Sequence, residues 1–206
     1  MPVKTTLPFI AIISTLFLGI LLSIFAWLPV TYTNFYLTKI LNCSTETGLT
    51  ATFLAIIPAF FLKPLFGKLS DNYDYFYYLS VSSFLSVPLV LIGFSMIVQA
   101  NILGQIPLII AAALLSDPVH AVMNSLFKQE NRSRSINLFF MLGAGIGGLV
   151  PGLSGFVVEK TGFHFFPAVI CASVGIIAGI IFLFFGRSTH KLNFPMMLKF
   201  KNYTPM

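Results

Sequence analysis

Charge is what this sequence has least of. Only 9% of its 206 residues are charged, and only six are acidic. Soluble domains carry about 25% charged residues, and a chain of this size cannot cover a water-facing surface with so few. A water-soluble fold is therefore excluded. So few acids leave no paired carboxylates for general acid–base work and no His, Cys, Asp and Glu cluster at metal-ligand spacing. Cysteine is as scarce. Cys43 and Cys171 stand far apart and suit neither a disulfide framework nor a zinc site. G-x-S-x-G is missing, and no Gly-rich stretch is followed by the Lys-Ser/Thr of a phosphate loop. No enzymatic chemistry, metal or cofactor is expected.

What the chain has is long apolar runs, 57% of residues being hydrophobic. The runs are continuous, whereas barrel strands alternate apolar and polar residues. Helices are then the way to satisfy the backbone in lipid. Each crossing takes roughly 20 residues, and six fit: Pro8 to Val30, Gly48 to Phe66, Phe76 to Val98, Ile106 to Phe127, Ile136 to Val158 and Phe165 to Phe185. The expected fold is all-α, a polytopic six-transmembrane-helix bundle over residues 1–186 with a basic tail over 187–206. The first run is too long for a cleaved signal and lacks a small-residue cleavage site, so it reads as an anchor that stays.

The net charge of +6 does not point to nucleic acid, because the basic residues stand singly at the edges of apolar runs. Their sidedness is informative. Lys4, Lys63, Lys68, Lys128, Arg132, Arg134, Arg187, Lys191, Lys199 and Lys201 fall on the side of the termini, and only Lys39 and Lys160 on the other. The Lys/Arg bias of short loops predicts cytoplasmic termini.

One acid, Asp117, lies inside an apolar run. An intramembrane carboxylate costs about 2.5–3.5 kcal/mol on insertion scales and marks a functional site by default. His120, Asn124 and Lys128 follow at i+3, i+7 and i+11, on one helical face. Pro118 removes a backbone donor beside it, so a bend is expected. The stripe suits substrate or proton handling; the plainer reading is an internal pair that locks the fourth span to a neighbour. In the first span Ser23, Trp27, Thr31 and Asn34 share a face. Trp27 is the candidate to stack on a flat ring, and Asn34 a further contact. Tyr32 and Tyr36 read as an aromatic belt at the outer interface. The fifth span carries GAGIGGLVPGLSG. Its two G-x-x-x-G pairs, Gly143 with Gly147 and Gly148 with Gly152, are expected to let helices pack closely, with Pro151 bending the span.

The turn from Phe60 to Tyr75, FFLKPLFGKLSDNYDY, concentrates polar groups between two oily helices. Lys63 reads as a basic foot able to snorkel to headgroups. Asp71 reads as the carboxylate at the entry of the third span. The G-x-x-x-D core Gly67 to Asp71 resembles the loop between spans 2 and 3 of the major facilitator superfamily. With Lys63, Pro64, Gly67, Ser70 and Asp71 matching KP-[LI]-[YF]-G-x-x-SD, the stretch resembles the folate-biopterin transporter branch. ALLSDPVHAVMNSL, with Asp117, and the Gly-rich fifth span resemble the same branch. A run YDYFYY stands where that family has a basic Gly-Tyr-Arg-Arg type run, and Ala121 where it often has a second acid. The resemblance covers one six-span half of a twelve-span fold. It implies a membrane carrier of folates or pterins, proton-coupled, with Lys63, Gly67 and Asp71 in a gating loop, working with a second copy or a separate half. The alternatives are a truncated non-transporting membrane protein and a facilitator of another organic solute.

Overall fold

A computed structural model describes residues 8–127 and 132–191. Eight α-helices follow in order: α1 Pro8–Trp27, α2 Thr33–Phe35, α3 Thr45–Ser70, α4 Tyr75–Val98, α5 Gln105–Leu126, α6 Arg132–Gly148, α7 Val150–Thr161 and α8 Phe166–Lys191. They make six spans long and apolar enough to cross a bilayer, and no strand occurs among the described residues. The all-α six-span membrane bundle is thus the fold.

The first span is longer than its hydropathy predicts. It runs unbroken to Ile40, because Leu28–Tyr32 and Tyr36–Ile40 continue the helix as two π-helical turns around α2. Pro29 explains the first departure. Its ring clashes with the carbonyl four residues back and it donates no hydrogen bond, so the α ladder widens there. The carbonyl of Pro29 accepts the Nε2 amide of the fully buried Gln105, at 2.9 Å, from the start of α5. The segment TYTNFYLTK is therefore helix, and Tyr32 and Tyr36 are not an interfacial belt. Both are 1% exposed. The Tyr32 ring meets Phe94 of α4 edge-on at 6.2 Å, and Tyr36 accepts or donates a 2.9 Å hydrogen bond with Nδ1 of His164. Buried rings with one polar tip serve as spacers between helices here.

The fifth span breaks where proline dictates. α6 ends at Gly148 and α7 starts at Val150, with Leu149 bonded back only to Ile146 at 3.2 Å, in the tighter i−3 pattern. Pro151 follows at the start of α7. α5, in contrast, continues through Pro118 to Leu126. The RSRS stretch expected in a charged loop is already the first turn of α6. α8 continues past residue 186 to Lys191; the rest of the expected tail lies outside the described residues, as do Lys4 and Lys128.

The spans pair in a definite pattern. α1 lies along α6, α3 along α5, and α4 along both α8 and α5. In span numbers these are pairs 1–5, 2–4, 3–6 and 3–4. Exchanging spans 1, 2 and 3 with 4, 5 and 6 turns pair 1–5 into pair 4–2 and leaves 3–6 in place. That is the pattern of two inverted three-helix repeats. The close 3–4 contact has no equally close 6–1 counterpart.

Small residues set the tightest contact. A Cβ on Gly143 would overlap the Leu16 carbonyl, and one on Gly147 would sit 2.7 Å from the Ile20 carbonyl and 2.8 Å from Ser23 Cβ. Gly19 of α1 answers from the other side, where a Cβ would sit 2.6 Å from the Phe140 carbonyl. Ser23 Oγ donates to the Ala144 carbonyl at 2.8 Å across this seam. The second glycine pair departs from the expectation. Within this chain Gly152, like Gly145, has nothing near it, and Gly148 meets only Ser23 Oγ at 3.9 Å. The span carries six glycines, four on α6 and two on α7, but turns only one face to α1, so Gly143 and Gly147 pack while Gly148 and Gly152 look outward.

At the Phe60–Tyr75 turn, Asp74 rather than Asp71 opens the third span. Its Oδ1 accepts from the backbone N–H groups of Phe76 and Tyr77, both at 3.0 Å. Asp71 instead ends α3, its N–H donating to the Gly67 carbonyl at 3.1 Å, and its side chain accepts from the Tyr75 hydroxyl at 3.3 Å. The reason is spacing. Asp74 directly precedes the first helical residue, where a short carboxylate reaches the free N–H groups. Asp74→Ala is expected to lower stability by about 1 kcal/mol and Asp71→Ala to leave it nearly unchanged; thermal melts of both purified variants check this.

Candidate functional site

The pairing pattern leaves a cleft. α1 and α3 both lie against α5 but scarcely touch one another. The first and second spans meet only near the end remote from the termini, where the π-helical segments and α2 reach α3. There Asn34 ties them together. Its Nδ2 donates to the Gly48 carbonyl at 3.2 Å and to Thr52 Oγ1 at 3.0 Å. Gly48 is required at this point, since a Cβ would lie 2.7 Å from Thr38 Cγ2 and 3.1 Å from Asn34 Oδ1. Beyond this tie the two helices part, like the arms of a V with α5 as the floor.

The space between them measures about 560 Å³, within the range of small-molecule sites. α5 contributes Ile109, Ala112 and Ser116 to its floor. Ser116 is the twelfth residue of a 22-residue helix, so the floor reaches mid-span. Alanines 26, 55, 59 and 112 keep the walls recessed, while Trp27 and Phe60 stand at the rim and are more than half exposed. Lys63 and Pro64 bound the end towards the turn.

The candidate residues separate into three groups. Trp27 and Lys63 are brought together on one cleft, though the sequence suggested them for different tasks, stacking and headgroup contact. Lys63 makes no hydrogen bond or ion pair among the described residues. Asn34 is outside the lining and serves as the tie just described. His120 is exposed on α5 and faces the fifth span, its ring 5.7 Å from that of Phe140. Asn124 is exposed one turn further on. The side chain of Asp117 lies outside the described residues; its backbone follows Ser116 in α5. Gly67 lies in the last turn of α3 and Asp71 caps that helix, both beyond the cleft. Sequence reading missed Ser116, and missed that Lys63 belongs to the cleft. A lysine about two turns inside the end of α3, rather than in the following loop, was the available signal.

A second hollow, of about 610 Å³, lies at the opposite end, lined by Phe35, Lys39, Ile40, Val158, Glu159, Gly162 and His164. It is made by the Gly162 turn, whose φ of 69° is left-handed and suits glycine.

No protein-family model matches the chain, and no solved structure matches it. It is similar to two curated transporters. One is the glycine betaine/proline/ectoine/pipecolic acid transporter OusA of Dickeya dadantii (strain 3937), 24% identical over 161 residues, which cover 75% of this chain and 32% of the relative. The other is the proline/betaine transporter of Salmonella typhimurium, 24% identical over 178 residues, or 82% of this chain and 35% of the relative. The chain thus spans about a third of the length of the relatives it matches.

Proposed function

We propose that this chain is one six-span half of a facilitator-type membrane transporter, carrying a small organic solute between itself and a second bundle. The observation that carries the reading is the cleft between the first, second and fourth spans. It is closed at one end by the Asn34 tie, lined by the first, second and fourth spans, and open on its remaining side. A half-walled site at mid-span is what remains of a carrier whose two bundles rock about a central solute. The similarity to two transporters, the G-x-x-x-D turn and the inverted-repeat pairing all support the same reading. The outward-facing second glycine pair, Gly148 and Gly152, supplies a smooth face on which another bundle could close. The partner is a second six-span bundle, and the two ends of this six-span unit face the cytoplasm, on the Lys/Arg bias.

Two solute classes follow from two sources. The motif resemblance favours folates and pterins; the relatives favour proline and betaines. The discriminating experiment is uptake of labelled folate, biopterin, proline and glycine betaine by cells making this chain, paired with native mass measurement of the purified protein. Accumulation of one class above control cells, with an assembly of two bundles, is the expected result. A strictly monomeric chain without uptake of any of the four is the result of a truncated, non-transporting membrane protein.

A further inference from the structure

We infer that the cleft recognises a carboxylate, held by Lys63, on a solute whose remaining body is uncharged and apolar or aromatic. This deepens the transporter reading and rests on it for the word solute; the binding claim itself stands on the lining. Lys63 is the one charged side chain among the described residues that line the cleft, and it makes no ion pair or hydrogen bond among them. Lys63 is exposed at the end of the cleft towards the turn, so its ammonium is free to meet an anion, and the apolar wall beside it makes that attraction moderately stronger than in open water. A charge-assisted hydrogen bond to a carboxylate is the strong form of such a contact. The remainder of the lining has little to offer a polar body. Ala26, Ala55 and Ala59 recess the walls and Ala112 the floor, with the rings of Trp27 and Phe60 at the rim. Ser116, the one hydroxyl among the lining residues, already donates to the Ala113 carbonyl at 3.2 Å.

The inference separates the solutes named above. Folate, proline and betaine carry a carboxylate, whereas biopterin does not. Among the carboxylates, a zwitterion brings a second charge that the apolar wall does not answer with an acid among the described residues.

The test uses an accident of composition. Trp27 is the sole tryptophan in the chain and it lines the cleft, so its fluorescence reports occupancy without any transport. The full chain is placed in nanodiscs of neutral phosphatidylcholine and titrated with 4-bromobenzoate, whose bromine quenches indole emission, and with its uncharged counterpart 4-bromobenzyl alcohol. Saturable quenching by the carboxylate, at a concentration at least about tenfold lower than the alcohol requires, is expected. Lys63→Gln should erase that preference and Lys63→Arg should keep it. Non-specific partition into lipid gives the opposite order, because the neutral alcohol enters a bilayer more readily than the anion. Equal quenching by the two probes, or a preference that survives Lys63→Gln, overturns the inference. So does stronger competition by glycine betaine than by benzoate, which would place an onium group in the cleft. Oleate displacing bromobenzoate better than benzoate does would assign the site to a lipid carboxylate and also overturn it. Each arm is read without uptake. Saturable carboxylate binding with no transport would therefore defeat the transporter reading alone, and transport without carboxylate preference would defeat this inference alone.

Discussion

Gly143→Leu is expected to unfold the seam between the first and fifth spans. The introduced Cβ would overlap the Leu16 carbonyl, which is backbone and cannot rotate aside. α1 and α6 must then separate, and the Ser23 hydroxyl loses the Ala144 carbonyl it reaches at 2.8 Å. Overpacking a well-fitted site costs roughly 1–3 kcal/mol. Here the clash is with main chain at the most extensive helix pair in the bundle, so a loss at or above about 3 kcal/mol is expected. In lipid no hydrophobic drive pushes the helices back together, because lipid tails satisfy apolar faces equally well. The readout is the thermal melt and the yield of monodisperse protein. Gly152→Leu is the matched control. It adds the same side chain to the same span where nothing lies within 4 Å, so the isolated bundle should keep its melting temperature. If Gly148 and Gly152 meet a second bundle, that variant should instead lose the assembled mass. Equal destabilisation by both substitutions would mean that the seam is not where the structure puts it.

Asp117→Asn is expected to reduce uptake of the carried solute to the level of cells without the protein. The substitution keeps shape and removes the charge and the titratable proton. Asp117 follows Ser116, a floor residue of the cleft, midway along α5. A carboxylate at that depth is costly, about 2.5–3.5 kcal/mol on insertion scales, so a chain keeping it there uses it. The competing role is a structural pair with a neighbouring span. Stability distinguishes the two. Removing one member of a buried pair costs about 3–5 kcal/mol, whereas removing an isolated carboxylate relieves its desolvation. Lost uptake with an unchanged or raised melting temperature fits a solute or proton role. Lost uptake with a large fall in melting temperature fits a lock, and unchanged uptake excludes the functional role.

The sequence-level resemblance to the folate-biopterin branch and the similarity to betaine and proline carriers meet at a coarser level, a facilitator-type carrier. Motifs in turns report the fold's mechanical joints, which related carriers share. On the proposed function, solute choice falls to cleft side chains, which sit on different helices and leave no contiguous motif. Trp27, Lys63 and Ser116 are 36 and 53 residues apart in turn, brought together only because α1 and α3 share α5 as a floor.

The sequence alone determined the solvent, the element type and the number of crossings. Lipid offers the backbone no hydrogen bonds, so each crossing must be a continuous helix, and a run of apolar residues reports it directly. Proline was legible at Pro151, beside which the fifth span breaks at Leu149, but not at Pro29, whose π-helical turn extends a span expected to end at Val30, nor at Pro118, through which α5 continues. The sequence did not show which face of each helix meets which neighbour. Nearly all faces are apolar, and in lipid it is shape that chooses among them. Only the tertiary structure could therefore turn Tyr32 and Tyr36 inward, assign helix entry to Asp74, set Gly143 and Gly147 against α1 while leaving Gly148 and Gly152 outside, and bring Lys63 to the same cleft as Trp27.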